Sequence, residues 1–228
     1  MNSIWKTGML LAGSLIFSAC AGDLPKIIIP PDQTETAGLQ REHEGAILSH
    51  QNTGRGSEVP EWVSRFLDRG SRGVEELEGY EDAYVFVGVS RGVNFKALGH
   101  WAEGFSAAQD FPRLAALRIE ARLIKAASLY PDDEYGEFFE ALVKKASDAE
   151  YAGAVKEASF WLLRRYQQDD EDAPVREGYE FFVLMRIEKG EFQAQVEALM
   201  ADTNTDKPPT REQAAAINRI KETFFDDF

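Results

Sequence analysis

The sequence predicts an α+β domain: a small antiparallel sheet of about three strands packed with helices, preceded by a signal peptide and a flexible tether. Three observations carry that prediction. Tyr84-Val85-Phe86-Val87-Gly88-Val89 is dense in aromatic and β-branched residues, as a strand requires. Two further runs, Val155–Tyr166 and Tyr179–Ile187, alternate their side chains on either side of Gln167–Gly178, the pattern of an antiparallel hairpin. Apolar residues recur at helical spacing in segments that start near Asp110, Asp133 and Glu191.

Taken in chain order, the first element is a leader. Lys6 is followed by an uncharged run from Thr7 to Ala19 whose apolar centre is Met9, Leu10, Leu11, Leu15, Ile16 and Phe17. A membrane-spanning helix needs about 20 apolar residues, whereas a positive start, a short apolar segment and small residues at its end describe a secretory signal. Phe17-Ser18-Ala19-Cys20 resembles the lipobox at which lipoprotein signal peptidase cuts, with Phe17 where Leu is commonest. The competing reading is ordinary cleavage near Ala19 beside an incidental thiol. Cys20 is the only cysteine, so it has no disulfide partner within the chain, and consumption of the thiol by lipid accounts best for its position. Two or more acyl chains on Cys20 give a stable anchor.

Removal of residues 1–19 leaves about 210 residues, enough for a real hydrophobic core. The net charge of −14 becomes one unit more negative when Lys6 is lost. That balance opposes adsorption to nucleic acid. Residues 20–59 are expected to form the lipidated cysteine and its tether, with one short strand at Lys26–Ile29 and a weak helical turn near Arg41–Leu48. As a coil they span about 30–40 Å. The folded domain is expected over 60–203, and a linker with a C-terminal helix over 204–228.

Within the domain, Gly92, Gly99 and Gly104 mark a loop after the first strand. Asp110 caps a helix with Pro112 as its second residue, where a missing N–H costs little. A second helix is expected at Asp133–Ala149 and a third at Glu191–Ala201. After Pro208-Pro209, Thr210 and Gln213 form a capping-box pattern for the last helix, ending near Phe225.

The Pro60-Glu61-Trp62-Val63 start, the strand ending Val87-Gly88-Val89, the alanine-rich helix at Ala115–Ala127, and Phe181–Ile187 running into Lys189-Gly190-Glu191-Phe192 together resemble one family. It is the bacterial lipoprotein family typified by the Helicobacter antigenic lipoprotein LPP-twenty, which includes FlgP-like flagellar envelope lipoproteins. The resemblance covers roughly residues 60–201. It implies a helix packed on an antiparallel sheet, a place at the outer membrane and assembly around envelope machinery. It brings no catalytic residues and no cofactor.

Several apparent chemical motifs lack the context that their chemistry needs. Gly88-Val89-Ser90-Arg91-Gly92 matches the nucleophile elbow of serine hydrolases in form, but the partner histidine should follow both the serine and the acid. The only later histidine is His100, ten residues on. His43, His50 and His100 are too scattered to give a metal site by spacing. Asp169-Asp170-Glu171-Asp172 and Asp132-Asp133-Glu134 lack the ligand alternation of a calcium loop and read as solvated charge. Glu61, Glu75, Glu76 and Glu78 offer carboxylates, though spacing alone does not set the separation glycoside chemistry needs.

Aromatic residues supply the candidate contact surface. Trp161 and Phe182 are expected opposite a Phe160/Phe181 face, exposed unless the second or last helix covers them. Phe224, Phe225 and Phe228 either dock back on the domain or meet another chain. The sequence therefore points to a nonenzymatic envelope lipoprotein, anchored through Cys20 and contacting envelope proteins or further copies of itself. The alternatives are a carrier of a lipid or other apolar ligand and, third, a hydrolase using Ser90.

Overall fold

The two alternating runs form the middle of an antiparallel sheet, and everything else packs around them. The computed structural model describes residues 46–51, 58–128, 136–166, 176–203, 210–226 and 228. Among these the elements, in chain order, are β1 (Ile47–His50), α1 (Glu61–Glu75), β2 (Ala83–Gly92), α2 (Phe95–Gly104), α3 (Ala107–Ser128), α4 (Gly136–Asp148), β3 (Val155–Tyr166), β4 (Arg176–Glu188), α5 (Lys189–Asp202) and α6 (Arg211–Thr223). The sheet has the order β1-β3-β4-β2, with every neighbouring pair antiparallel.

The fold is thus α+β as expected, with four strands instead of three. The extra strand, β1, comes from the stretch expected to be tether, and it replaces the described end of the expected helical turn. Its four residues are too few for alternation to register, and it is fixed by pairing: Ile47 lies opposite Arg164 and His50 opposite Leu162. Lys26–Ile29 falls outside the described residues.

Both faces of the sheet are covered, which corrects the expectation of a single covered face. Val85, Val87, Val89, Phe160, Leu162, Phe182 and Leu184 pack under α1 through Val63, Phe66 and Val74. On the other face, Tyr84, Phe86, Phe181, Val183, Met185 and Ile187 meet helices α2 to α6 through residues such as Leu98, Phe111, Ile119, Leu142, Phe192 and Ile220. Burial on two faces is why β2 and β4 read as nearly continuous apolar runs.

Three local differences have physical causes. Helix α1 is hidden in the sequence because Gly70, at φ 66° and ψ −160°, breaks its helical period between Phe66 and Val74. Helix α2 occupies the glycine-containing segment expected to be loop; Asn94 caps it, accepting the Ala97 N–H at 3.1 Å, while Leu98 and Ala102 bury its inner side. Helix α3 starts one turn before Asp110. Ser106 Oγ accepts the Gln109 N–H at 3.3 Å and the Asp110 carboxylate accepts the Ser106 N–H at 2.8 Å, so Asp110 reaches back to the cap instead of being it. Pro112 consequently lies inside the helix.

The hairpin register decides which aromatics share a face. Phe160 is opposite Phe182 and Trp161 is opposite Phe181. Directly opposed residues point to the same side, so the expected Phe160/Phe181 face is off by one step. A one-residue slip exchanges every side chain between faces.

Candidate functional site

The residues proposed for chemistry are not brought together. Ser90 sits within β2, which continues to Gly92, and its fully buried Oγ has no hydrogen-bond partner. A nucleophile elbow instead places its serine exposed on a strand-to-helix turn. Gly88 belongs to the sheet's packing: a Cβ there would lie 2.5 Å from the Phe105 ring. His100 is exposed on α2, with Nδ1 3.5 Å from Glu103, and His50 stacks on Phe160 with ring centroids 5.9 Å apart. His43, Cys20 and the two acidic runs fall outside the described residues. Among the described residues there is no cluster of three or more metal-ligating side chains. The glutamates are drawn into separate contacts, Glu61 with Arg65, Glu76 with Arg69 and Glu75 with Arg118.

The candidate contact aromatics divide into two groups. Phe182 is 1% exposed beneath α1, its ring edge-on to Phe66 at 6.1 Å. Phe224 and Phe228 are buried on the helical side, Phe228 against Tyr84 and Phe192 and Phe224 against Phe228. These three are core residues of this chain: Phe224 and Phe228 dock back on the domain, and Phe182 is covered, by α1 instead of the second or last helix, so none of the three offers the contact surface for which it was a candidate. Phe225 is half-buried at the rim, packed on Phe224 and Phe228. Trp161 is also half-buried, and it joins Phe95 at 5.2 Å, Tyr179 at 6.0 Å and Phe181 at 6.4 Å.

That cluster lies toward the end of the sheet at which the β3–β4 hairpin carries the exposed Arg165–Glu177 ion pair and Arg176. Gly92 is opposite Tyr179, Tyr179 is opposite Leu163, and Leu163 is opposite Ser49, so one row crosses all four strands. Beside this row stand Ile47 at 43% exposure, Leu48 at 38%, Val93 at 80% and Phe95 at 40%. The chain arrives at the same end, where the Ala46 carbonyl accepts the Arg165 N–H. Sequence alone did not single out Phe95 or Tyr179, because only the strand register brings them to Trp161.

At the other end, β3 has a flank that no strand among the described residues covers. Among the described residues, Gln51 gives the last hydrogen bond from the β1 side, to the Trp161 carbonyl. Ser159, two residues back and therefore facing the same edge, has no strand beside it among the described residues. The nearby charges are turned over the faces. Lys156 Nζ donates to the Ala102 carbonyl at 2.5 Å, while Glu157 pairs with Arg186 at 3.0 Å and accepts the Tyr80 hydroxyl at 3.0 Å. Burial, and then that hydrogen bond, push the Tyr80 phenol up to about 12, so it stays a donor throughout the neutral range.

Two charge networks also went unread in the sequence. Glu180, 1% exposed, lies 2.5 Å from Arg91 Nε and 2.8 Å from the buried Arg164 Nε; the latter is an ion pair without hydrogen-bond alignment. Arg118 crosses the edge of β2, donating to Glu75 at 2.7 Å, the Val85 carbonyl at 3.1 Å and the main-chain oxygen of Phe228 at 2.7 Å. Glu75 in turn accepts the Val85 N–H at 2.8 Å. Side chains thereby occupy both outward backbone groups of this edge residue, which blunts the edge against pairing.

No family model, curated protein or solved structure matches this chain. The described residues form an α+β domain with a four-stranded antiparallel sheet between helical layers.

Proposed function

We propose that this chain is a lipid-anchored protein of the bacterial cell envelope, with a nonenzymatic interaction domain, and that its partner adds a strand along the open flank of β3. The observation that carries the contact is the Val155–Phe160 side of β3, which no strand among the described residues pairs, beside a β1 whose described residues pair with the far half. Such an edge offers backbone donors and acceptors to an extended segment, with alternate side chains giving selectivity. The leader and the Phe17-Ser18-Ala19-Cys20 motif support the anchor, and the resemblance to the LPP-twenty family favours an outer-membrane setting. Lipid on Cys20 localises the domain, the segment after it sets reach, and the edge makes the contact. The space between sheet and helices is occupied by rings such as Phe86, Phe111 and Phe192, at 4.7 to 6.3 Å from one another, which favours assembly over carriage of an apolar ligand.

A photo-crosslinking residue at Ser159, compared with one at the exposed Glu222 of α6, tests this in cells. Ser159 is expected to capture a discrete envelope protein or a second copy of the chain, Glu222 is not, and Cys20→Ala is expected to abolish the capture. Equal yields from the two positions, or capture indifferent to Cys20→Ala, would contradict the proposal.

A further inference from the structure

We infer that the strand added to β3 is a short basic segment of another protein, which deepens the interaction reading above and rests on it. The site stands on backbone geometry, and charge names its occupant. Among the described residues β1 reaches only as far as Trp161, whose carbonyl accepts the Gln51 N–H. The turn before Val155 is fixed in turn, because the Gln195 side chain bonds both the N–H and the carbonyl of Ala152, at 2.8 and 3.1 Å. Between these limits the flank from Val155 to Phe160 is about 20 Å of strand, room for an extended segment of about six residues.

Carboxylates surround this flank. Glu157 lies on it, and the Tyr80 hydroxyl that donates to Glu157 ties the turn carrying the exposed Glu78 to the α1 side. On the helical side Lys156 Nζ donates to the Ala102 carbonyl, beside Glu103, whose side chain is 81% exposed. At the start of β3 the Glu191 carboxylate rests on Gly153, so closely that a Cβ there would collide with it. Arg186, opposite Val155, is shared by Glu157 at 3.0 Å and Glu188 at 3.2 Å. Five carboxylates therefore meet two cations, Lys156 and Arg186. A segment carrying Lys or Arg finds complementary charge on both faces of the strand it forms, and an acidic one is repelled.

The same features disfavour a second copy of this chain. Two copies joined along this flank about a two-fold axis would set the carboxylates against themselves. The register also shifts between Lys156 and Ala158, which leaves Glu157 as a bulge. A bulge turns an edge away from long, flat partners, and a short segment can still pair at Ser159.

Selection from a displayed library of random segments, about seven residues long, tests this. The bait is the chain from residue 20 onward, which keeps every described residue, with Cys20→Ser to block thiol pairing. Segments held by the bait and rejected by Ser159→Pro, which removes an outward N–H from the edge, are expected to carry a net charge of about +2 or more. Glu78→Lys combined with Glu103→Lys, both at exposed positions, should weaken the selected segments at least about tenfold. That double variant replaces Ser159→Pro as the counter-selection should proline unfold the chain. Neutral or acidic segments that the counter-selection rejects would overturn the inference and leave the flank reading standing. Basic segments held equally by every variant would mean adsorption to an acidic surface and would also overturn it. So would a dimer in sedimentation that Ser159→Pro dissolves, which would give the flank to a second copy. If no segment is held, the inference falls, and the Ser159 crosslink in cells decides the flank reading by itself.

Discussion

Replacement of Phe192 by alanine is expected to lower the unfolding free energy by about 3–5 kcal/mol. Phe192 opens the inner side of α5 and is fully buried. Its ring touches Tyr84 and Phe86 of the sheet at 5.5 Å each, Tyr151 at 5.6 Å and Phe228 at 5.3 Å. Truncation removes the burial of a whole ring and leaves a cavity shared by β2, α3, α5 and the C-terminal segment. Collapse is hindered because the neighbours are themselves aromatics, held by β2, by the segment before β3 and by the C-terminal segment. Urea denaturation checks this: the midpoint should fall with the slope unchanged, as for a loss of stability alone. A loss below about 1 kcal/mol would mean that the site relaxes or that these rings do not meet.

Arg118→Met is expected to cost about 2–4 kcal/mol, although methionine keeps most of the aliphatic stem. The guanidinium lies over the Tyr84, Phe86 and Phe228 rings at 5.1, 5.3 and 4.6 Å while donating to Glu75, Val85 and Phe228. Without it, the Glu75 carboxylate, only 10% exposed, is left buried without its cation. Breaking a buried pair from one side is costlier than the pair is worth. Glu75→Gln should cost less, since an amide oxygen can still accept the Val85 N–H. The double variant should fall short of the summed losses by about 1–2 kcal/mol, as for two groups in one network. Hydrogen exchange supplies the spatial signature: faster exchange at Val85 and over residues 224–228 is expected, with the β3–β4 hairpin unaffected. Uniform acceleration, or none, would contradict the role assigned to Arg118.

Much of the fold was legible. The hairpin of β3 and β4, the strand around Val87 and the helices α3 to α5 follow from periodicity that tertiary packing reinforced. What escaped depended on partners far away in sequence. β1 has too few residues to show a period and exists through β3. The period of α1 breaks at Gly70. The faces of Trp161 and Phe182 hinge on a register that a long connection leaves open, and the one-step difference turned Phe182 from a surface candidate into a residue packed on Phe66.

The candidate surfaces show the same limit. Phe224 and Phe228 look like a sticky terminus in sequence, but Arg118 and Arg122 take up the main-chain oxygens of Phe228, Phe224 and Thr223 and seat both rings on the core. Arg118 itself is hidden within an apolar helix pattern. Phe95 and Tyr179 acquire meaning only when the strands place them beside Trp161. By contrast, the proposed anchor rests on local pattern alone, because the cleavage and acylation it requires would read a short linear motif, Phe17-Ser18-Ala19-Cys20.

The measurement closest to the central claim is therefore the mass of the amino-terminal peptide from membrane-extracted protein. The proposed function requires that it begin at Cys20 and carry a thioether-linked diacylglycerol on Sγ, with or without an acyl group on its amine. A peptide beginning at Ala21, or an intact leader still holding an unmodified Cys20, would contradict it.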